Sequence, residues 1–399
     1  MGRFRTPIAL AVLSLAVACA PSDQAAVSDQ AAATDQADAP LMRSALHDYR
    51  VVTVAEGLSN PWSMAFLPGG DMLVTERPGR LRIVRDGMLL PAAVEGLPPV
   101  MAQGQGGLLE VAPHPDFASN QMVYFTFSKP VDDGSTATTA VVRGRLVDDA
   151  IVDVEELFEA QSRGSGHYGS KIVFDGNGYM FVTVGDRQAP SRGDLEAHPA
   201  QDLSNHHGVV VRLHDDGRVP DDNPFVGQAG ALPEIWSYGH RNPQGLALDP
   251  AGNLWATEHG PQGGDEFNLI RPGLNYGWPV IGYGVNYGSG SAIHEGTRRE
   301  GMEEPVHFWV PSIATSGLMF YTGDRFPEWR GNAFAGGLGG QQIARLTLDG
   351  DQVTSEETIL QGLGRVRDVR QGPDGFIYVA IEDRGGEPTA IVRLEPAGD

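Results

Sequence analysis

Residues 164–187 read GSGHYGSKIVFDGNGYMFVTVGDR. Within them, 170–174 and 179–184 are short β-branched and aromatic runs flanking Asp175-Gly176-Asn177-Gly178, the composition of a β-hairpin with a tight turn. The start of the first strand and the end of the second lie side by side in such a hairpin, so His167 and Asp186 are expected to meet opposite the turn. A carboxylate beside an imidazole fixes its tautomer and raises its basicity. One such pair suits a plain surface as well as an active site, so its meaning depends on the rest of the chain.

The hairpin recurs. Residues 62–75 (WSMAFLPGGDMLVT), 107–127, 245–257 (GLALDPAGNLWAT), 317–336 and 367–381 (RDVRQGPDGFIYVAI) repeat the order of apolar strand, Pro/Gly/Asp/Asn turn and apolar strand, giving six copies in all. Further strand-like runs at 81–85, 141–146, 209–213, 343–348 and 391–394 leave room for four strands per unit. Six such units predict an all-β fold, a six-bladed β-propeller with four-stranded antiparallel blades. Two unrelated sandwiches would not repeat one unit through the whole domain. The 52 glycines and 28 prolines among 399 residues supply the turns this fold needs.

A propeller gathers equivalent strand ends around its central channel. The residues leading into the first strands are Gln105, His167, Arg241 with Asn242 and Gln244, Ser312, and Arg365 with Arg367; those following the second strands are Glu76, Asp186 and 258–261 (EHGP). Three arginines at one rim, in a chain of net charge -22, ask for a ligand with two or more carboxylates or phosphates. Salt bridges between blades are the structural alternative. The same charge balance, with no basic run, argues against nucleic acid as a partner.

Residues 1–19 have the parts of a secretory signal: Arg3 and Arg5, an apolar run at 8–18, and small residues before Cys19, the one cysteine in the chain. AVAC at 16–19 resembles a lipobox, so a periplasmic protein lipid-anchored at Cys19 is expected, with simple secretion as the alternative. Residues 20–45, rich in Ala, Asp and Gln, read as a disordered linker, and 46–399 as the propeller domain. No long apolar surface strip is legible, which points to a monomer.

In the segments GQGGLLEVAPHPDF (104–117), SYGHRNPQGLAL (237–248), TEHGPQGGDEFNL (257–269), NYGWP (275–279) and RVRD (365–368) the chain resembles the soluble glucose/sorbosone dehydrogenases, which are pyrroloquinoline quinone (PQQ) dependent aldose sugar dehydrogenases. The resemblance covers nearly all of 47–396. It implies oxidation of an aldose at C1 to the lactone by hydride transfer to PQQ, with an external electron acceptor. His167 would be the general base and Asp186 its orienting partner. Gln105, Arg241, Asn242, Tyr287, Leu338, Arg365 and Arg367 would contact the cofactor. Gly260 and Pro261 would hold a Ca²⁺ against it through their carbonyls, a donor type that suits this hard cation. Glu266 and Tyr276 would serve a second Ca²⁺, and Ile281 and Tyr283 would add main-chain oxygens to another. Gly339 stands where several family members carry a lysine on the cofactor. A calcium-dependent hydrolase could use the same frame but would leave the three arginines without a purpose; a non-catalytic sugar-binding lipoprotein would need only the propeller and its aromatics Trp278, Trp309 and Tyr283.

Overall fold

The six expected turns are built from a few repeated devices. In the hairpin quoted above, Asp175 Oδ1 accepts from the backbone N–H groups of Asn177 (2.8 Å) and Tyr179 (3.2 Å), while Gly176 and Gly178 take left-handed φ angles of 75° and 88°. Asp249 Oδ1 does the same for Ala251 and Asn253 before Leu254–Glu258, and Asp374 Oδ1 accepts from Phe376 N. The short side chain of Asp thus fixes the turn, and the turn fixes the register of the flanking strands.

The chain's fold is taken from a computed structural model that describes residues 1–2 and 39–398. The expected signal segment, Cys19 and most of the expected linker lie outside the described residues. From Pro40 onward the chain forms six antiparallel sheets. Blade 1 comprises Pro61–Phe66, Met72–Glu76, Arg80–Arg85 and Met88–Leu89; blade 2, Leu108–Pro113, Met122–Val131, Thr136–Val147 and Ala150–Glu159. Blade 3 comprises Ile172–Phe174, Tyr179–Val184, Val209–His214 and Ile235–Tyr238; blade 4, Pro243–Leu248, Leu254–Glu258, Asp265–Ile270 and His307–Trp309. Blade 5 comprises Thr315–Phe320, Ala333–Gly337, Gln342–Asp349 and Gln352–Ile359. Blade 6 takes Arg365–Gln371, Ile377–Glu382 and Pro388–Pro396 from the C-terminal end and Tyr49–Ser59 from the N-terminal end, with Leu41–Met42 added outside. This is the six-bladed β-propeller expected from the repeats, and each repeated hairpin is the inner strand pair of one blade.

Every junction between neighbouring blades has its own apolar cluster. Phe125 and Ile83 belong to the cluster between blades 1 and 2, Val182 and Tyr124 to that between 2 and 3, and Phe181 and Leu246 to that between 3 and 4. Trp255 and Phe320 pack between blades 4 and 5, Phe334 and Val379 between 5 and 6, and Met64 and Tyr378 between 6 and 1. The last cluster closes the ring, so no sheet face is left without a neighbour.

Near the start of the first strand the pairing slips in five blades, as between Pro61 and Ser63, Pro243 and Gly245, and Val366 and Asp368. A bulge re-aims the side chain it carries. Arg367 is such a residue. Strict alternation would put it on the face of Arg365 by the ordinary pleat; both arginines do reach one carboxylate, but through a bulge.

Candidate active site

His167 precedes Ile172–Phe174 and Asp186 follows Tyr179–Val184, and the two side chains meet as the hairpin geometry requires. His167 Nδ1 lies 2.5 Å from Asp186 Oδ1, with both residues buried. Asp186 Oδ1 also accepts from Gln188 N (2.8 Å), and its Oδ2 accepts from Trp278 Nε1 (2.7 Å). A carboxylate held by three donors stays ionised. Burial would raise its pKa, but the neighbouring His167, Arg241 and the Gln188 N–H outweigh this and hold it below the usual value.

His167 donates its own backbone N–H to Gln105 Oε1 (2.8 Å). Its φ is 48°, and Arg187 and Gln188 are also left-handed at 58° and 59°, so the dyad sits in a strained frame. Gly185 permits this: a Cβ there would run into the His167 carbonyl and lie 3.0 Å from Asn242 Oδ1. Burial first, then Arg241 and Arg187, lower the His167 pKa below 6.5 against the pull of Asp186. With Nδ1–H directed at the carboxylate, the neutral ring keeps Nε2 as a proton acceptor.

Two cavities meet beside the dyad. One, of about 890 Å³, is lined by Arg77, Asn242, Leu338, Gly339, Arg365, Arg367 and Glu382 among others; the second, of about 730 Å³, is lined by His167, Asp186, Arg241 and Trp278. Gln105, His259, Tyr287 and Arg384 line both. Arg367 Nε bonds Glu382, its Nη1 donates to Gln244 Oε1 (2.8 Å), and Arg365 Nε stands 3.6 Å from the same Glu382. The arginine pair is therefore neutralised in part by its own blade, and the alternative of bridges between blades does not describe it.

Satisfaction is incomplete. Arg241 Nη1 donates to His259 O (3.0 Å) and its guanidinium lies over the Trp278 ring, yet its buried Nε has no hydrogen-bond partner. Arg365 Nε and His259 Nε2 are orphaned in the same way. Burial lowers the pKa of Arg365 and of Arg77, each with Arg367 close by and Glu382 opposing. Crowded cations and orphaned buried donors on a cavity wall fit an anionic ligand with several acceptors, such as the PQQ carboxylates.

Below the dyad a small cavity of about 10 Å³, room for one water or one ion, is lined by Glu258, Gly260, Pro261, Glu266, Ile281 and Tyr283. Glu258 and Glu266 face each other across paired strands, and Asn268 Nδ2 bonds both carboxylates. Burial, then Glu258, pushes Glu266 well above the usual carboxylate range. Two opposed carboxylates ringed by carbonyl-bearing residues are a donor set suited to Ca²⁺. Among the described residues no cluster of three His, Cys, Asp or Glu offers a different metal centre.

The structure brings together most of the residues the sequence singled out, with three qualifications. Tyr276 does not line this cavity: its hydroxyl donates to Leu269 O (2.5 Å) and accepts from Arg271 N (2.9 Å), so only its main chain is free for a cation. Tyr287 is largely exposed at the cavity mouth, and its hydroxyl donates to Pro261 O (3.0 Å), an oxygen expected to serve the metal. Glu76 is buried away from the cavities, accepting from Ser59 N and pairing with Arg80 and Arg82.

Leu338 lines the larger cavity and accepts from Arg365 Nη1 (3.3 Å). A Cβ on Gly339 would stand 3.3 Å from Ala314 Cβ, so a lysine there needs slight give. Sequence reasoning missed Arg77, Glu382 and Arg384 as site residues. Glu382 carried a signal, because it ends the second strand of its blade as Glu76 does in blade 1.

Residues 58–393 match the family described as Glucose / Sorbosone dehydrogenase. The aldose sugar dehydrogenase YliI of Escherichia coli is 45% identical over 356 residues, covering 87% of this chain and 92% of its own. A crystal structure of a glucose dehydrogenase superposes with a TM-score of 0.80 at 46% identity, covering 88% of this chain and 99% of that one. The PQQ-bound aldose sugar dehydrogenase of Streptomyces coelicolor superposes with a TM-score of 0.70 at 30% identity, covering 87% and 98%.

Proposed function

Because the chain belongs to the glucose/sorbosone dehydrogenase family, we propose that it uses PQQ and Ca²⁺ to oxidise a cyclic aldose at C1 to its lactone, passing the electrons to an external acceptor. The observation that carries this reading is the buried His167–Asp186 dyad opening onto a cavity that shares its walls with unsatisfied arginines. PQQ, when bound, supplies the acceptor for the two electrons and the hydrogen that leave C1.

The rest of the chemistry belongs to this chain's own side chains. Arg365 and Arg367, with Arg77 beside them, would offer guanidinium N–H groups to the cofactor carboxylates, and Arg241 Nε and Asn242 would complete the cradle. Asn242 Oδ1 also accepts from Gly169 N (3.1 Å), tying that cradle to the segment that carries the base. His167 Nε2 takes the proton of the C1 hydroxyl as the carbon–oxygen double bond forms. Asp186 stabilises the resulting imidazolium, and Trp278 Nε1–H keeps Asp186 in place. The carbonyls of Gly260 and Pro261 would hold Ca²⁺ against the cofactor, Glu266 with the main chain of Tyr276 would hold a second, and Ile281 and Tyr283 would give main-chain oxygens to another.

The experiment is to strip the purified protein with chelator, reload it with PQQ and Ca²⁺ separately and together, and follow dye reduction by a panel of aldoses. Turnover that needs both additions and yields the lactone supports the reading; cleavage of a lactone without PQQ would favour a hydrolase instead. No helix of the described residues is long and apolar enough to cross a membrane. We place the protein in the periplasm, anchored through Cys19, so Cys19→Ser should release it to the soluble fraction.

A further inference from the structure

Most arginines of this acidic chain are engaged. Among the described residues, Arg192 and Arg384 are the two whose guanidinium makes neither an ion pair nor a hydrogen bond. Both are exposed, and both line the cavity that holds His167. Arg192 stands on the loop that follows Asp186, with its backbone N–H bonded to Pro190 O (3.0 Å), and Arg384 follows the inner hairpin of blade 6.

The one carboxylate on this cavity's wall is Asp186, whose oxygens are already taken by His167, Gln188 and Trp278. Three guanidiniums, those of Arg192, Arg241 and Arg384, thus face one committed anion, in a chain of net charge -22. Uncompensated cations in a cleft focus its potential and concentrate anions there. Arg77, Arg365 and Arg367 line the neighbouring cavity, whose wall Arg384 shares and Arg192 does not. A second anion, separate from the cofactor, accounts for the unpaired Arg192 beside the base.

We propose that the preferred substrate is an aldose carrying an anionic group, a carboxylate or a phosphate, remote from C1. Arg192 holds that group while the C1 hydroxyl faces His167. This inference rests on the sugar-oxidising reading above and adds the class of sugar.

The test compares kcat/KM for glucose, glucuronate and glucose 6-phosphate on the PQQ- and Ca²⁺-loaded enzyme, wild type against Arg192→Gln. An anionic sugar should exceed glucose by about tenfold or more, with an advantage that shrinks as salt is raised and falls about tenfold in the variant. Which anion gains tells carboxylate from phosphate. In Arg192→Gln, kcat/KM for glucose and the PQQ dissociation constant should stay within about twofold of wild type, since Arg192 lines no part of the cofactor cavity. A wild type that does not favour either anion, or a variant that loses glucose and anion together or loses PQQ affinity, overturns the inference and leaves the aldose reading standing. If the loaded enzyme oxidises none of the three sugars, both fall.

Discussion

Two groups of charges face inward on this propeller, and they are finished differently. Along the inner strands, Lys171 stands 2.8 Å from Glu110 and 3.0 Å from Asp368, while Arg370 pairs with the same two carboxylates. Two cations meet two anions drawn from blades 2, 3 and 6, and Asp368 also accepts from Met64 N of blade 1 (3.1 Å). Around the cavities at the strand ends, Arg365 and Arg367 share Glu382 with Arg77 nearby, and Arg241 Nε, Arg365 Nε and His259 Nε2 have no hydrogen-bond partner. A network saturated in charge ties blades together, although Glu110 Oε2 meets Lys171 as an ion pair without a hydrogen bond; one of the same residue types left unsaturated in charge is waiting for a ligand. Charge balance, more than burial, separates the structural half of the channel from the binding half.

The comparison can be broken from either side. The largest effect belongs to the base: His167→Ala should lower turnover about 10²- to 10⁴-fold while PQQ binding is retained, as read by dye reduction beside a PQQ titration. Asp186→Asn should cost less, because it weakens the orientation and basicity of His167 but leaves a proton acceptor. In the saturated half, Lys171→Met leaves Glu110 and Asp368 facing each other with Arg370 alone, and denaturant unfolding should show a loss of about 3–5 kcal/mol.

In the unsaturated half the order is reversed. Arg365→Ala should weaken PQQ binding by about 1.5–3 kcal/mol, the loss of one charge-assisted hydrogen bond, in an equilibrium titration. Its unfolding midpoint should hardly move, because Glu382 keeps Arg367. The smallest effect is in pH. Only neutral His167 accepts a proton, and its pKa is lowered, so turnover should rise through a single limb below pH 6.5 and be flat above it. A limb above that value would mean the ring is protonated more readily than its burial allows.

Much of this was legible in the chain because it is local. The Asp175-Gly176-Asn177-Gly178 turn fixes its hairpin, the hairpin fixes where His167 and Asp186 meet, and the repeats multiply that unit into blades. What stayed hidden joins distant parts of the chain. Tyr49–Ser59 completes a blade begun more than three hundred residues later, and Trp278 reaches Asp186 across 92 positions. Glu382 occupied a readable position, yet its partnership with Arg365 and Arg367 depends on a bulge that strict alternation does not anticipate. Arg192 and Arg384 stand out only when every other arginine's partner is known.

The most direct test of the account is an anaerobic single turnover: load the metal-stripped protein with PQQ and Ca²⁺, mix it with an aldose and follow the absorbance of the bound quinone. The account predicts one PQQ held per chain and its full reduction by the sugar. A protein that binds no PQQ, or that binds it and leaves it oxidised in the presence of every aldose tried, would contradict it.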